Sequence, residues 1–270
     1  MKKTLYLFTI LLSVSQLACE ESLQTDYAPL PLSEAETQLV KETEKLGRRI
    51  YEKDICAAIA TDLLFDEIIV TNSKGVLGWI TCKKDNGYVV LFVTQKEQEF
   101  SSPYQVIFDG NKQPQIIRQN RPLSHDETNM FRARQQAINI ITKACTDKYN
   151  TVVLSMKEGS GWLLYALAAT TDPQAIVIGG HYKAVISRDG KTVLSQRPFT
   201  KDCMTLSTNP PDMPPGAELA GLSSTHILDD TPTEIHVFIS LLYKKLYLLA
   251  TKDGRLWKID GDKIELIKKL

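Results

Sequence analysis

The sequence predicts an α+β protein built of two tandem helix-plus-antiparallel-sheet units, followed by a C-terminal all-β extension. Three observations carry this. First, one opening occurs twice: Leu32-Ser33-Glu34-Ala35-Glu36-Thr37 and Leu123-Ser124-His125-Asp126-Glu127-Thr128 share a Leu-Ser-x-x-Glu-Thr frame. In each, a serine followed three residues later by glutamate is a capping box, in which hydroxyl and carboxylate satisfy each other's backbone N–H groups. Second, landmarks behind the two helices recur in the same order. Gly78-Trp79-Ile80 matches Gly161-Trp162-Leu163, Tyr104 to Gly110 matches Tyr182 to Gly190, and Arg121-Pro122-Leu123 matches Arg197-Pro198-Phe199. Third, apolar segments of strand length are separated by turn pairs such as Asn86-Gly87, Asp109-Gly110 and Asp189-Gly190, whose residues tolerate positive φ. Ordered self-similarity of this kind is the mark of a repeated supersecondary unit.

Residues 1–18 read as a signal peptide. Met1-Lys2-Lys3 is a basic start, and Thr4 to Val14 is an apolar core too short to span a bilayer. Residues 19–32 read as a tether, polar and then proline-bearing at Pro29 and Pro31. The first unit, 33–122, opens with a helix from about Glu34 to Leu64, in which Leu39, Thr43, Leu46, Ile50 and Ala57 keep helical spacing. Asp54 falls on that apolar stripe, as a buried polar contact or a bend. Strands are expected at Glu67–Thr71, Val76–Cys82, Tyr88–Thr94, Tyr104–Phe108 and Gln115–Gln119.

The second unit, 123–208, opens with a helix over Asp126 to Ala144. Strands follow at Thr151–Ser155, Trp162–Ala169, Ala175–Ser187 and Thr192–Arg197. A proline-rich linker, 209–221, interrupts the pattern. Residues 222–270 read as antiparallel strands without a helix, at Glu234–Leu242, Leu246–Thr251, Arg255–Ile259 and Lys263–Ile267. Asp253-Gly254 and Asp260-Gly261 turn the later ones, and Lys244-Lys245 is the polar pair available for the first. This tail either extends the second sheet or closes a partial third unit. One amphipathic helix on a curved antiparallel sheet, repeated, resembles in general architecture the cystatin-like folds and the tandem-repeat inhibitors of secreted enzymes.

Gln16-Leu17-Ala18-Cys19 resembles the lipobox of bacterial lipoproteins, with glutamine where that family usually has leucine. The resemblance implies that Cys19 is lipidated and becomes the first mature residue. Glu20 in place of aspartate implies the outer membrane, on its periplasmic side. Cleavage after Ser15 is the rival. Cysteine parity favours lipidation: the chain has five cysteines, and modifying Cys19 leaves four to pair in an oxidising compartment. Pairing within units gives Cys56–Cys82 and Cys145–Cys203, with buried free thiols at Cys56 and Cys82 as the alternative.

Hydrophobic residues are 43% and charged residues 24% of the 270, an ordinary globular balance that supports a real core. Without Lys2 and Lys3, 30 basic residues face 32 acidic ones, a net charge of −2. That balance does not point to phosphate-backbone binding, which needs a basic surface, although a neutral total leaves room for a local patch. Gly159-Ser160-Gly161 is not a nucleophile elbow, no glycine-rich loop opens a helix, and there is no CxxC pair. No cofactor is indicated.

Of four histidines, His125 sits in a helix cap. His181, His226 and His236, with Asp229 or Asp230, are the residues a metal or hydrolytic centre would use, but none has a metal-ligand spacing. Trp79 and Trp162 either anchor cores or line a ligand groove. The expectation is a non-catalytic binding or inhibitor-like module of the cell envelope. Its ligand is an unknown protein or envelope component, and its membrane contact is a lipid anchor. The alternative is an envelope hydrolase or metal-dependent enzyme centred on His181, His226 and His236.

Overall fold

The structure, a computed structural model, describes residues 28–65, 75–110, 112–210, 213–214 and 216–269. The expected strand at Glu67–Thr71 and the lipidation residue Cys19 lie outside these. Helix α1 (Glu34–Leu63) is capped by Ser33, whose hydroxyl accepts from the Glu36 N–H while the Glu36 carboxylate accepts from the Ser33 N–H. Strands β1 (Val76–Lys84), β2 (Gly87–Lys96), β3 (Glu99–Asp109) and β4 (Gln115–Ile117) form an antiparallel meander. The short β5 (Arg121–Pro122) also pairs with β3. Helix α2 (His125–Gln135) repeats the capping box through Ser124 and Glu127. One turn of helix, α3 (Ala137–Ile140), follows.

The second meander is β6 (Lys148–Ser155), β7 (Gly161–Ala169), β9 (Tyr182–Ser187) and β10 (Val193–Pro198), in the order β10-β9-β7-β6. Between β7 and β9, β8 (Ala175–Val177) pairs instead with β11 (Thr205–Ser207) in a separate ribbon. The two units therefore share one design: a capped helix, then four strands in meander order. The tryptophans matched in the sequence fall one strand apart, Trp79 on the first strand of its unit and Trp162 on the second, so they are not equivalent. Tyr104 and Tyr182 both lie on third strands, β3 and β9.

Three expectations change here. The second helix ends near Gln135, not Ala144. The loop beyond it is held by the Tyr182 hydroxyl, which accepts from the Lys143 N–H and donates to the Lys143 carbonyl. The single strand Ala175–Ser187 is two, because Gly179-Gly180 breaks it. Gly180 has φ +83°, and a Cβ there would sit 2.7 Å from the Cys145 sulfur. The C-terminal region does contain strands, but it is not all-β. Glu234–Leu242, expected as the first strand, lies within helix α4 (Glu234–Tyr243), and Lys244 ends it in the left-handed conformation.

Around α4, β12 (Gly221–His226) pairs in parallel with β13 (Leu246–Thr251), and β14 (Arg255–Asp260) and β15 (Lys263–Lys269) complete an antiparallel edge. The parallel pair follows from α4, since a helical crossover is what joins parallel neighbours. The tail is thus a third helix-plus-meander unit.

Packing follows strand alternation. On the first sheet Tyr88, Val90, Phe92 and Val106 meet Cys56, Ala60 and Leu64 of α1. The opposite face, with Ile80, Val89 and Leu91, meets Met130, Phe131 and Ala133 of α2. The same helix also covers Val153, Leu164 and Ile186 of the second sheet. The second sheet's other face, with Val152, Leu154 and Tyr165, packs on α4 and on Ile50 of α1. Helix α1 is the spine. Its second half covers the first sheet, and its first half docks on the third. There Glu44 accepts from the Ile264 N–H (2.9 Å), Glu36 pairs with Arg255, and Arg48 pairs with Asp262. The end of the expected tether is pinned as well, with the Leu30 N–H donating to the Leu266 carbonyl.

Candidate functional site

The sequence-predicted cysteines divide. Cys145 and Cys203 are disulfide-bonded, with Cα atoms 5.3 Å apart. The expected Cys56–Cys82 bond does not exist; both are free thiols. Strand alternation explains why. Cys56 packs from α1 onto one face of the first sheet, whereas Cys82 points through the other face, its sulfur 3.8 Å from that of Met130. The sheet itself separates them. Burial pushes both thiols up to about 11, so neither is a nucleophile at neutral pH.

The histidines also divide. His125 is exposed beside Asp126 at the start of α2. His226 and His236 do come together, with ring centroids 4.7 Å apart. His226 lies at the end of β12 and its Nε2 is 2.8 Å from the Asp229 carboxylate. Arg197, from β10, donates to both oxygens of that carboxylate, at 2.9 and 2.6 Å. The Arg197 hydrogen bond, with that of His226, holds Asp229 at about 2. His236 closes the first turn of α4, where its Nδ1 accepts from the Thr233 N–H (2.9 Å). Its ring is also 5.7 Å from that of Tyr247.

His181 lies edge-on to Phe238 of α4 at 6.3 Å, and its Nδ1 accepts from the Ala168 N–H. His181 makes no ring contact or hydrogen bond with the His226–His236 pair, though it is near enough to His236 to disfavour its charged form. Burial lowers His181 to about 4 and His236 to about 3, which keeps both neutral. All three side chains are buried and engaged in internal contacts. Among the described residues no three His, Cys, Asp or Glu side chains are grouped to hold a metal ion.

The tryptophans are packing residues. Trp162 is buried and its Nε1 donates to the Arg188 carbonyl at 3.0 Å. Trp79 lies under the Arg134 guanidinium at 4.6 Å, a cation–π contact.

A cleft that the sequence reading did not assemble is formed where α1, β6, β7 and α4 meet. It encloses about 350 Å³ and has walls from Ile55, Ala58, Leu167, Phe238, Leu242 and Tyr243. Asp54 and Asn150 supply its polar floor, and Thr170 and Asp172 its rim. Burial raises the Asp54 carboxyl to about 6 despite a hydrogen bond with Asn150. The Tyr243 hydroxyl accepts from the Val177 N–H, which fixes that wall. A mostly apolar cleft with a few convergent polar groups, one of them with a perturbed pKa, is what small-ligand and peptide sites share. The signal in the sequence was the single acid on the α1 stripe. Its partners come from segments about 100 residues or more further on, so spacing could not collect them.

No family model, no curated protein and no solved structure matches this chain.

Proposed function

We propose that the protein is a non-catalytic, inhibitor-like binding module of the bacterial cell envelope, held to the outer membrane through a lipid on Cys19. Its ligand is received in the cleft between α1 and α4. The observation that carries this is the cleft itself: concave, apolar-walled, and floored by one buried carboxyl that is close to half-ionised near pH 6. Such a site favours a ligand with an apolar body and a hydrogen-bond-donating or cationic end. The histidines offer a weaker centre, since their rings are buried and one nitrogen of each is engaged in an internal hydrogen bond. The disulfide supports export, because such bonds persist outside the reducing cytoplasm.

Two experiments test the reading. Crosslinking in envelope fractions should capture a partner with the native chain and not with Ala58→Trp, which fills the cleft mouth from an exposed position. Capture of the same set by both would remove the cleft from the proposal. Globomycin should accumulate precursor; a mature N-terminus at Gln16 without such accumulation would remove the anchor.

A further inference from the structure

Two cations meet at the seam between the first and second sheets. Lys53 comes from α1, is 5% exposed, and donates through Nζ to the carbonyls of Thr81 on β1 (2.5 Å) and Val153 on β6 (2.9 Å). Arg134 comes from α2, on the opposite face, and lies against the Trp79 ring. Neither has a carboxylate partner among the described residues, and desolvation is the leading influence on both, lowering Lys53 to about 8 and Arg134 to about 10. Between them lies a small, partly open cavity of about 10 Å³, lined also by Trp79 and Thr151. Three atoms of these lining residues, Trp79 Nε1, Arg134 Nε and Thr151 Oγ1, are buried with no hydrogen-bond partner in the protein.

The chemistry of this set is mostly donating, the Thr151 hydroxyl alone being able to accept as well. An indole N–H and a guanidinium Nε–H only donate, an ammonium has three N–H groups of which two are used here, and a hydroxyl can donate. A cavity this small holds one atom-sized occupant. Water would bring two protons of its own to a set of mainly donors and leave the buried Lys53 charge and the half-buried Arg134 charge uncompensated, which is costly where water is excluded. A monatomic anion accepts from every donor and supplies the missing charge.

We propose that this cavity is a halide site, occupied by chloride, which ties α1, α2, β1 and β6 together at the junction of the two repeated units. The site stands independently of the cleft and of any ligand bound there.

The test is thermal unfolding of the whole chain in sodium chloride and in sodium gluconate at equal ionic strength, together with crystals soaked in sodium bromide. Chloride should raise the melting temperature along a saturating curve while gluconate does not, and an anomalous bromide peak should appear among Lys53, Trp79, Arg134 and Thr151. Arg134→Met should abolish the chloride dependence while keeping the native far-ultraviolet spectrum. Should Arg134→Met not fold, Trp79→Phe decides: it deletes one donor and leaves the ring, and should weaken halide about tenfold, the size of one lost hydrogen bond to a charged group. Identical melting of the native chain in the two salts, or no bromide peak at the seam, overturns the proposal in favour of a buried water.

Discussion

Asp54, His181 and His236 build opposing pH slopes into one interior. The two imidazoles are held down by burial, to about 4 and about 3, below an unfolded value near 6.5. Between those values the unfolded chain binds more protons than the folded one. Their contribution is therefore complete above pH 6.5 and is lost as pH falls towards 4. Asp54 is the reverse case: raised to about 6 from 3.8, it contributes fully below pH 3.8, and that contribution is lost as pH rises through 6. Two groups against one predicts a net fall in the urea midpoint from pH 6.5 to 4. Asp54→Asn isolates the carboxyl's share. It should match the native chain near pH 4 and exceed its stability at pH 8 by about 1–3 kcal/mol. A difference independent of pH would mean that this carboxyl is solvated. At this scale the sequence was partly readable. Asp54 was visible as a polar residue on an apolar stripe, but nothing local pointed to Asn150. His236 falls in the segment expected as a strand, whereas it is buried on a helix.

The helices were legible where their start signals are local. Both capping boxes stand where the serines and glutamates place them, and Ser33→Ala and Ser124→Ala should each cost about 1 kcal/mol in urea unfolding. The two effects should add, because the caps share no partner. Helix α4 was not legible. Its residues Ile235, Val237, Phe238 and Ile239 are all buried, because the helix lies between the second and third sheets. A short helix buried on most sides shows few polar residues to mark a solvent face, and a short apolar run with β-branched residues reads equally as a strand. Its contact with α1 is close enough to make a test. A Cβ on Gly47 would sit 2.5 Å from that of Val237 and 2.7 Å from the Glu234 carbonyl oxygen. Gly47→Ala should therefore destabilise by about 1–3 kcal/mol in spite of alanine's better helix propensity. A more stable variant would show that the helices part freely.

Across the whole molecule, one long helix joins three helix-plus-meander units, and a disulfide closes the second of them. The Cys145–Cys203 bond closes a separation of 58 residues, for which chain entropy suggests about 4 kcal/mol. Reduction, or Cys145→Ser with Cys203→Ser, should lower stability by an amount of that order. Thiol counting completes the test. In the described region Cys56 and Cys82 should react with iodoacetamide only after denaturant is added, and non-reducing peptide maps should join Cys145 to Cys203 alone. A Cys56–Cys82 peptide would contradict the separation of the two thiols by β1. Unit order and strand order were readable from the repeated landmarks, but the alignment slipped by one strand at the tryptophans, because Gly-Trp followed by apolar residues suits either of two neighbouring strands.

By itself the sequence determined what is encoded within about ten residues: the capped starts of α1 and α2, most strands and their turns, and the α+β class. Capping, alternation and turn chemistry act locally, so the local string carries them. Tertiary structure alone decided which sheet faces each helix covers, that α4 is a helix, that Cys56 and Cys82 stay apart, and that Asp54 and Asn150 share a cleft. Those outcomes depend on burial from both sides and on contacts about 100 residues apart. A single strand of text does not contain them until the chain has closed on itself.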